Sequence, residues 1–319
     1  MDIRRRDLYN ALLILLTTRQ GAGKTGAAKT RARKVGVKEK GATENASRNV
    51  ASKMWEESLT PGPQVEHEPG YAFLVAGGSL DESDIAYARS SAFVVAVDSG
   101  AMFLKEHDLI PDVIVGDFDS LDAETLRYFK SLEKPLRAEK FSSKDAGCLY
   151  DCLHTTSPGA TGNVEIVSLP RDKDKTDTEV GLDIVLDRGF STAVLVGGCG
   201  GTRIDHEVAN LFLIERYAKM DLDVILCSKR TMIFGLSGAD SEYSTHKSKR
   251  WFRGKPGDWV TIIPITPEVE GVTTYCLRFP LYDAILERGA TLGVSNEMTQ
   301  NEAAVSVAKG FCLVIVTAK

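Results

Sequence analysis

The apolar positions change rhythm once along the chain. Between Tyr71 and Gly201 five short, nearly unbroken apolar runs recur: YAFLVAGG (71–78), AFVVAVDSG (92–100), VIVGDFDS (113–120), VEIVSLP (164–170) and AVLVGGCGG (193–201). Runs of this length without polar alternation suit strands buried on both faces, as in a parallel sheet. The segments between them have helical spacing: DESDIAYARS, GAMFLKEHDL, a stretch after Lys175, and HEVANLFLIERYA (206–218). The third begins with Thr176-Asp177-Thr178-Glu179, the S/T-x-x-E form of a capping box. Val180, Ile184 and Val185 follow on one face, and Gly189 stands where the helix should stop. Asp205 is placed to cap the fourth. Strands alternating with helices predict a doubly wound, mostly parallel α/β domain.

Past residue 222 the helical spacing disappears. DVILCS, TMIFGL, DWVTIIPI, GVTTYCLRF, AAVSV and FCLVIVT follow one another across turn residues, the pattern of a smaller all-β sandwich. Pro61-Gly62-Pro63 reads as a linker, and residues 142–163 as a long loop insertion. The predicted organisation is therefore an extension over 1–69, an α/β domain over 70–222 and a β domain over 223–319.

Charge sharpens this division. Residues 1–60 carry 13 Lys/Arg against 6 Asp/Glu, and the remainder 26 against 38, so a basic extension (+7) precedes an acidic body (−12). An acidic body excludes nucleic acid as the partner of the folded part. The extension is poor in acids and rich in Ala, Ser, Thr and Gly, which suits disorder, an organellar targeting segment or sequence upstream of the true start. No run reaches the ~20 apolar residues of a membrane span, so the expectation is a cytoplasmic protein, with import through the extension left open. LLILLTTRQGAGKTGAAK (12–29) imitates a phosphate-binding loop, but Thr18 stands where the first glycine is required. The six cysteines lack a framework spacing and read as reduced thiols; Cys148, Cys152 and His154 have no second pair to complete a metal site.

The candidate chemistry lies at the strand ends, where ligands bind in open α/β sheets. Gly77-Gly78 follows the first strand, Asp98-Ser99-Gly100 the second, Gly116-Asp117-Phe118-Asp119-Ser120 the third, Lys173-Asp174-Lys175-Thr176-Asp177 the fourth, and the loop from Gly197 to His206 the fifth. A parallel sheet would gather Asp98, Asp117, Asp119, Asp174, Asp177 and Asp205 on one edge. Oxygen donors without a His or Cys cluster favour magnesium. The glycines admit close approach of phosphate oxygens to backbone amides, and Lys175 and Arg203 supply positive charge.

The series DSGA (98–101), PDVIVGDFDS (111–120), KDKTDTEVGL (173–182) and GGCGGTRIDHEVANL (197–211) resembles the thiamine pyrophosphokinase family. GDWVTIIPI (257–265), GVTTYCLRFPL (271–281), TLGVSNE (291–297) and VSVAKGFCLVIV (305–316) extend the likeness into its thiamine-binding β domain. The resemblance implies a homodimer with a cleft shared between subunits, in which pyrophosphate passes from ATP to the thiamine hydroxyl, giving thiamine diphosphate and AMP. It implies catalytic roles for Asp98, Asp117, Asp119, Asp174 and Asp177, with Mg2+ on Asp98, Asp117, Asp119 and Asp174. It assigns ATP to Gly77, Gly78, Ser120, Lys175, Thr176, Gly198, Gly200, Gly201, Arg203, Asp205 and His206, and thiamine to Phe279, Ser295 and Asn296. Two positions depart from the family pattern: Ser99 replaces a glycine, and Thr202 is inserted before Arg203. A pyrophosphokinase for another hydroxymethyl heterocycle, such as a pterin, and a silent nucleotide-binding module are the competing readings.

Overall fold

A computed structural model describes residues 70–133, 164–238, 243 and 247–319. The extension, the 142–163 insertion and the Cys148–His154 group lie outside these residues. Six strands form a parallel array: β1 (Ala72–Val75), β2 (Phe93–Val97), β3 (Val113–Gly116), β4 (Glu165–Ser168), β5 (Thr192–Val196) and β6 (Asp223–Ser228). Their spatial order is β6-β5-β1-β2-β3-β4, so the chain steps outward from β1 to β4 and then returns to the other side of β1. The strand order reverses between β1 and β5.

Alternation along each strand sends side chains to two cores. Phe73 and Val75 face α2 (Gly100–Glu106) and α3 (Ala123–Lys130) through Ala101, Phe103, Leu104 and Phe129, with α1 (Ile85–Ser90) beside them. Ala72 and Leu74 face α4 (Asp177–Asp187) and α5 (Ile204–Ala218) through Val180, Ile184, Val185, Leu213 and Tyr217. Thr176 caps α4 by accepting the Glu179 amide at 3.2 Å, and Gly189, at φ +79°, ends it as the capping pattern requires. The start of α5 differs from expectation. Arg203 occupies the cap position and Asp205 lies in the first turn.

The sheet does not stop at β6. β7 (Thr231–Ser237) pairs antiparallel with β6, β14 (Phe311–Thr317) with β7, β9 (Trp259–Pro264) with β14, and β12 (Asn296–Glu297) with β9, which makes ten strands. A second sheet, ordered β11 (Ala284–Glu287), β10 (Glu268–Tyr275), β13 (Glu302–Ser306) and β8 (Lys249–Arg253), covers the face that α1–α3 cover further along. The proposed boundary at residues 222/223 thus falls on β6, which pairs with β5 from Thr192↔Asp223 to Val196↔Cys227. A hydrogen-bonded strand pair joins the two halves there.

Two elements had no clear signal in the sequence. The apolar face of α3 is narrow, its buried residues being Thr125 and Phe129, although Asp122 caps it through the amides of Glu124 and Thr125. β8, KRWFR, alternates charge with Arg250 and Phe252, and Arg250 is buried. Its guanidinium binds the Asp223 carboxylate and lies 5.2 Å from the Phe234 ring, tying the small sheet to the large one.

Two stability measurements follow from this packing. A Cβ added to Gly100 would lie 2.1 Å from the Val75 carbonyl oxygen, so Gly100→Ala should lower stability by about 1–3 kcal/mol in urea denaturation. Arg250→Leu leaves Asp223 without its guanidinium in the core and should cost about 3–5 kcal/mol in the same assay. An unchanged midpoint would refute either account.

Candidate active site

The return of the chain across β1 leaves little space at the carboxyl end of that strand. Gly197, at φ +66°, would place a Cβ 2.1 Å from the Ala76 carbonyl oxygen. Gly100 meets Val75 in the same way from the β2 side. The loops after β1 and β5 are stitched together by the Gly78 amide on Gly197 O (2.9 Å) and the Ser79 amide on Cys199 O (3.1 Å). The Gly200 amide donates to Glu207 Oε1 at 2.7 Å, and the Gly198 carbonyl accepts from Asn210 Nδ2 at 2.8 Å. Of the glycines assigned to phosphate, Gly78 and Gly200 therefore already spend their amides within the chain. Gly77 is packed against Ser99, whose Oγ lies 2.0 Å from where a Gly77 Cβ would be, while Gly201 is exposed.

The carboxylates gather one strand further along. Asp98, Asp117 and Asp119 each place an oxygen within 4.8 Å of the others. Backbone strain helps to aim them: Asp98 sits at φ 48° and Phe118 at φ 62°, in the left-handed region that ordinary residues avoid. The Asp98 amide is anchored on Val115 O at 2.8 Å, and Ser120 Oγ donates to Asp98 Oδ2. Burial raises the Asp98 pKa; the Ser120 hydrogen bond works the other way, and the charges of Asp177, Asp117 and Asp119 raise it further. Asp117 is held below the usual carboxylate range, chiefly by the Asp119 amide and then by Lys173.

Asp98 Oδ1 is buried without a hydrogen-bond partner among the described residues. A buried, unmatched carboxylate oxygen beside two more carboxylates suits a hard divalent cation, and the all-oxygen donor set suits magnesium.

Other assigned residues lie elsewhere. Asp174 is exposed and outside the three-carboxylate group. Lys175 Nζ reaches Asp183 at 2.5 Å, on the seam where Tyr217 donates to Asp183 Oδ1 and Glu179 O at 2.7 Å each. Thr176 spends its hydroxyl as a helix cap. The lysine that enters the cluster is Lys173, 3.3 Å from Asp117 Oδ2 and 2.9 Å from Asp177 Oδ1. Burial opposes its charge, but the Asp177 and Asp117 carboxylates that accept from its ammonium hold its pKa above the ordinary lysine value. With two lysines two positions apart, the sequence alone did not say which one turns inward.

Arg203 and Asp205 form an exposed two-point pair, Nε to Oδ1 at 2.9 Å and Nη2 to Oδ2 at 2.5 Å, which brings the Asp205 pKa down to about 2. His206 is exposed beside them. Cys199, in the same glycine loop, is no nucleophile: burial, then the charge of Glu207, pushes its thiol up to about 11.

The residues assigned to thiamine cluster at the opposite end of the large sheet. Asn296 clamps the turn before β11, accepting the Phe279 amide at 3.0 Å and donating to Phe279 O at 2.6 Å. The Phe279 ring is left exposed, with the Arg278 guanidinium 5.4 Å away. Ser295, at φ 60°, hangs its amide on Thr261 Oγ1 at 3.0 Å.

The thiamin pyrophosphokinase catalytic-domain model matches residues 86–158 and 154–226, and the thiamin pyrophosphokinase vitamin B1 binding-domain model matches 248–312. The sequence is 25% identical over 244 residues to the thiamine pyrophosphokinase of Bacillus subtilis (strain 168), across 76% of this chain and 96% of that one. In structure it is similar to the thiamine pyrophosphokinase from Bacillus subtilis, with TM-score 0.61, 21% identity, and 78% and 99% of the two chains covered. It is also similar to the thiamin pyrophosphokinase from Geobacillus thermodenitrificans, with TM-score 0.58, 24% identity, and 78% and 98% covered. These two likenesses establish the fold. The catalytic and the vitamin B1 binding models match successive parts of one sequence, and the chain belongs to the thiamine pyrophosphokinase family.

Proposed function

We propose that the protein is a thiamine diphosphokinase that transfers pyrophosphate from ATP to the thiamine hydroxyl, releasing AMP. The observation that carries this reading is the group Asp98–Asp117–Asp119, with its buried, unmatched oxygen, at the carboxyl ends of adjacent strands in a chain of this family. Asp98, Asp117 and Asp119 hold one magnesium ion, which when bound neutralises polyphosphate charge. Ser120 orients Asp98 through its hydroxyl. Asp119, the exposed member, takes the proton of the attacking hydroxyl on its outer oxygen. Arg203, steadied by Asp205, presents its remaining guanidinium donors to the phosphates, and Phe279 offers its face to the cationic thiazolium. Charge neutralisation and alignment carry most of such a transfer.

The same reading calls for two copies. Seven strand spacings separate β12, beside Phe279 and Asn296, from β2, which carries Asp98. At about 4.8 Å per strand this is roughly 30 Å, far beyond the length of thiamine. One chain does not bring its own vitamin site to its own carboxylates, so the partner's β domain completes the site in a homodimer. Exposed apolar side chains suit such an interface: Ile204, Val208 and Phe212 form a stripe at i, i+4, i+8 on α5, and Tyr282 and Leu292 protrude from the β domain. No helix among the described residues is long and apolar enough to cross a membrane. We place the enzyme in the cytoplasm, where the free Cys199, Cys227, Cys276 and Cys312 suit a reducing medium.

Purified protein given ATP, Mg2+ and thiamine should form AMP and thiamine diphosphate in equal amounts. ADP with thiamine monophosphate would overturn the pyrophosphoryl reading, and turnover of a hydroxymethylpterin in place of thiamine would favour the rival substrate. The shared site has its own test. Asp117→Asn and Phe279→Ala should each be nearly inactive, yet random re-pairing of an equal mixture should restore about a quarter of wild-type activity, because half the dimers then carry one intact site of two. No recovery in mixed dimers would place both halves of the site on one chain.

A further inference from the structure

Two cations reach the cluster at the strand ends: Arg171, exposed, lies 3.8 Å from Asp119 Oδ2, and Lys173 is mostly buried within it. Lys173 Nζ lies between Asp117 on the β3 loop and Asp177 at the first position of α4, 3.3 Å from one carboxylate and 2.9 Å from the other. Its side chain is only 16% exposed, so it is fixed in the site and not free on the surface. Asp117 serves two groups at once: it belongs to the set with Asp98 and Asp119, and it holds Lys173. A carboxylate shared between two neighbouring cations is the layout of two-metal phosphoryl-transfer sites. Here the second cation is an ammonium.

We propose that Lys173 takes the place of a second divalent ion, acting as a positioning residue that bridges Asp117 and Asp177. The inference rests on the reading that Asp98, Asp117 and Asp119 hold the metal. Four carboxylates meet at this point: Asp98, Asp117, Asp119 and Asp177. One divalent ion and one ammonium cancel three of the four negative charges, and the exposed Arg171 guanidinium, 3.8 Å from Asp119 Oδ2, faces the fourth. A second divalent ion between Asp117 and Asp177 would have to occupy the volume of Nζ and would be repelled by it. Substitution of Lys173 by a neutral side chain opens that position, and its two carboxylates then become ligands for an additional ion.

The experiment is a Mn2+ titration of the full-length protein without nucleotide, following the free-ion signal by electron paramagnetic resonance. Wild type should bind one ion per chain, Lys173→Gln two, and the charge-retaining Lys173→Arg one. In turnover assays Lys173→Gln should lose about 10²-fold in kcat, the size of loss expected when one preorganised electrostatic group is removed. Its KM for thiamine should stay within about twofold, and its response to Mg2+ should become second order. Two ions on wild type, or equal counts on wild type and Lys173→Gln, would overturn the proposal. If Lys173→Gln does not fold, the wild-type count decides, since two ions there are incompatible with an ammonium in the second position. No ion on wild type would instead defeat the metal reading of the site itself, and this inference with it.

Discussion

The structure depends on a lack of room at the carboxyl end of β1. Val75 and Ala76 turn their carbonyl oxygens toward the two loops that flank the strand, and those loops come so close that only hydrogen fits at positions 100 and 197. This contact is made of backbone and does not adjust as side chains do. It seats α2 and the Asp98 turn on one side and the glycine loop before α5 on the other. The carboxylates acquire their positions from these seats.

A second constraint is electrostatic. Four aspartates brought to adjacent strand ends repel one another, and burial of Asp98 adds to the strain. The chain offsets part of this internally with Ser120, the Asp119 amide and Lys173, and leaves Asp98 Oδ1 unmatched. The residual imbalance suits an added cation, which a fully matched network would have no use for. Arg203, by contrast, has a two-point partner in Asp205, which fixes its orientation.

The strands of the parallel array and α4 with both its ends were legible in the sequence because local rules decide them: unbroken apolar runs, a capping Thr, a terminal Gly. The gathering of Asp98, Asp117 and Asp119 followed from strand-end position alone. The spread of the remaining assignments did not. Lys175 and Lys173 differ by two positions at the entry to a helix, and only tertiary contacts send one to Asp183 and the other to Asp117. Gly78 and Gly200 looked like open amide donors because the loop-to-loop hydrogen bonds that occupy them join residues more than a hundred positions apart or run back from α5. β8 escaped notice because its buried Arg250 breaks the apolar pattern of an inward face, and its partner, Asp223, lies in a different sheet. α3 shows too few apolar positions for periodicity to register.

The place of β14 in the large sheet has a consequence for the order of events during synthesis. This strand follows every other described strand in sequence, yet it lies inside the sheet, paired along its length with β7 on one side and β9 on the other. Until it leaves the ribosome, β7 and β9 have no common neighbour, and each presents unpaired amides and carbonyls to the cell. The helical half, whose strands and helices are encoded earlier, has its partners at hand sooner. The parallel half can therefore settle before the β half, whose sheet closes only when β14 is threaded between β7 and β9.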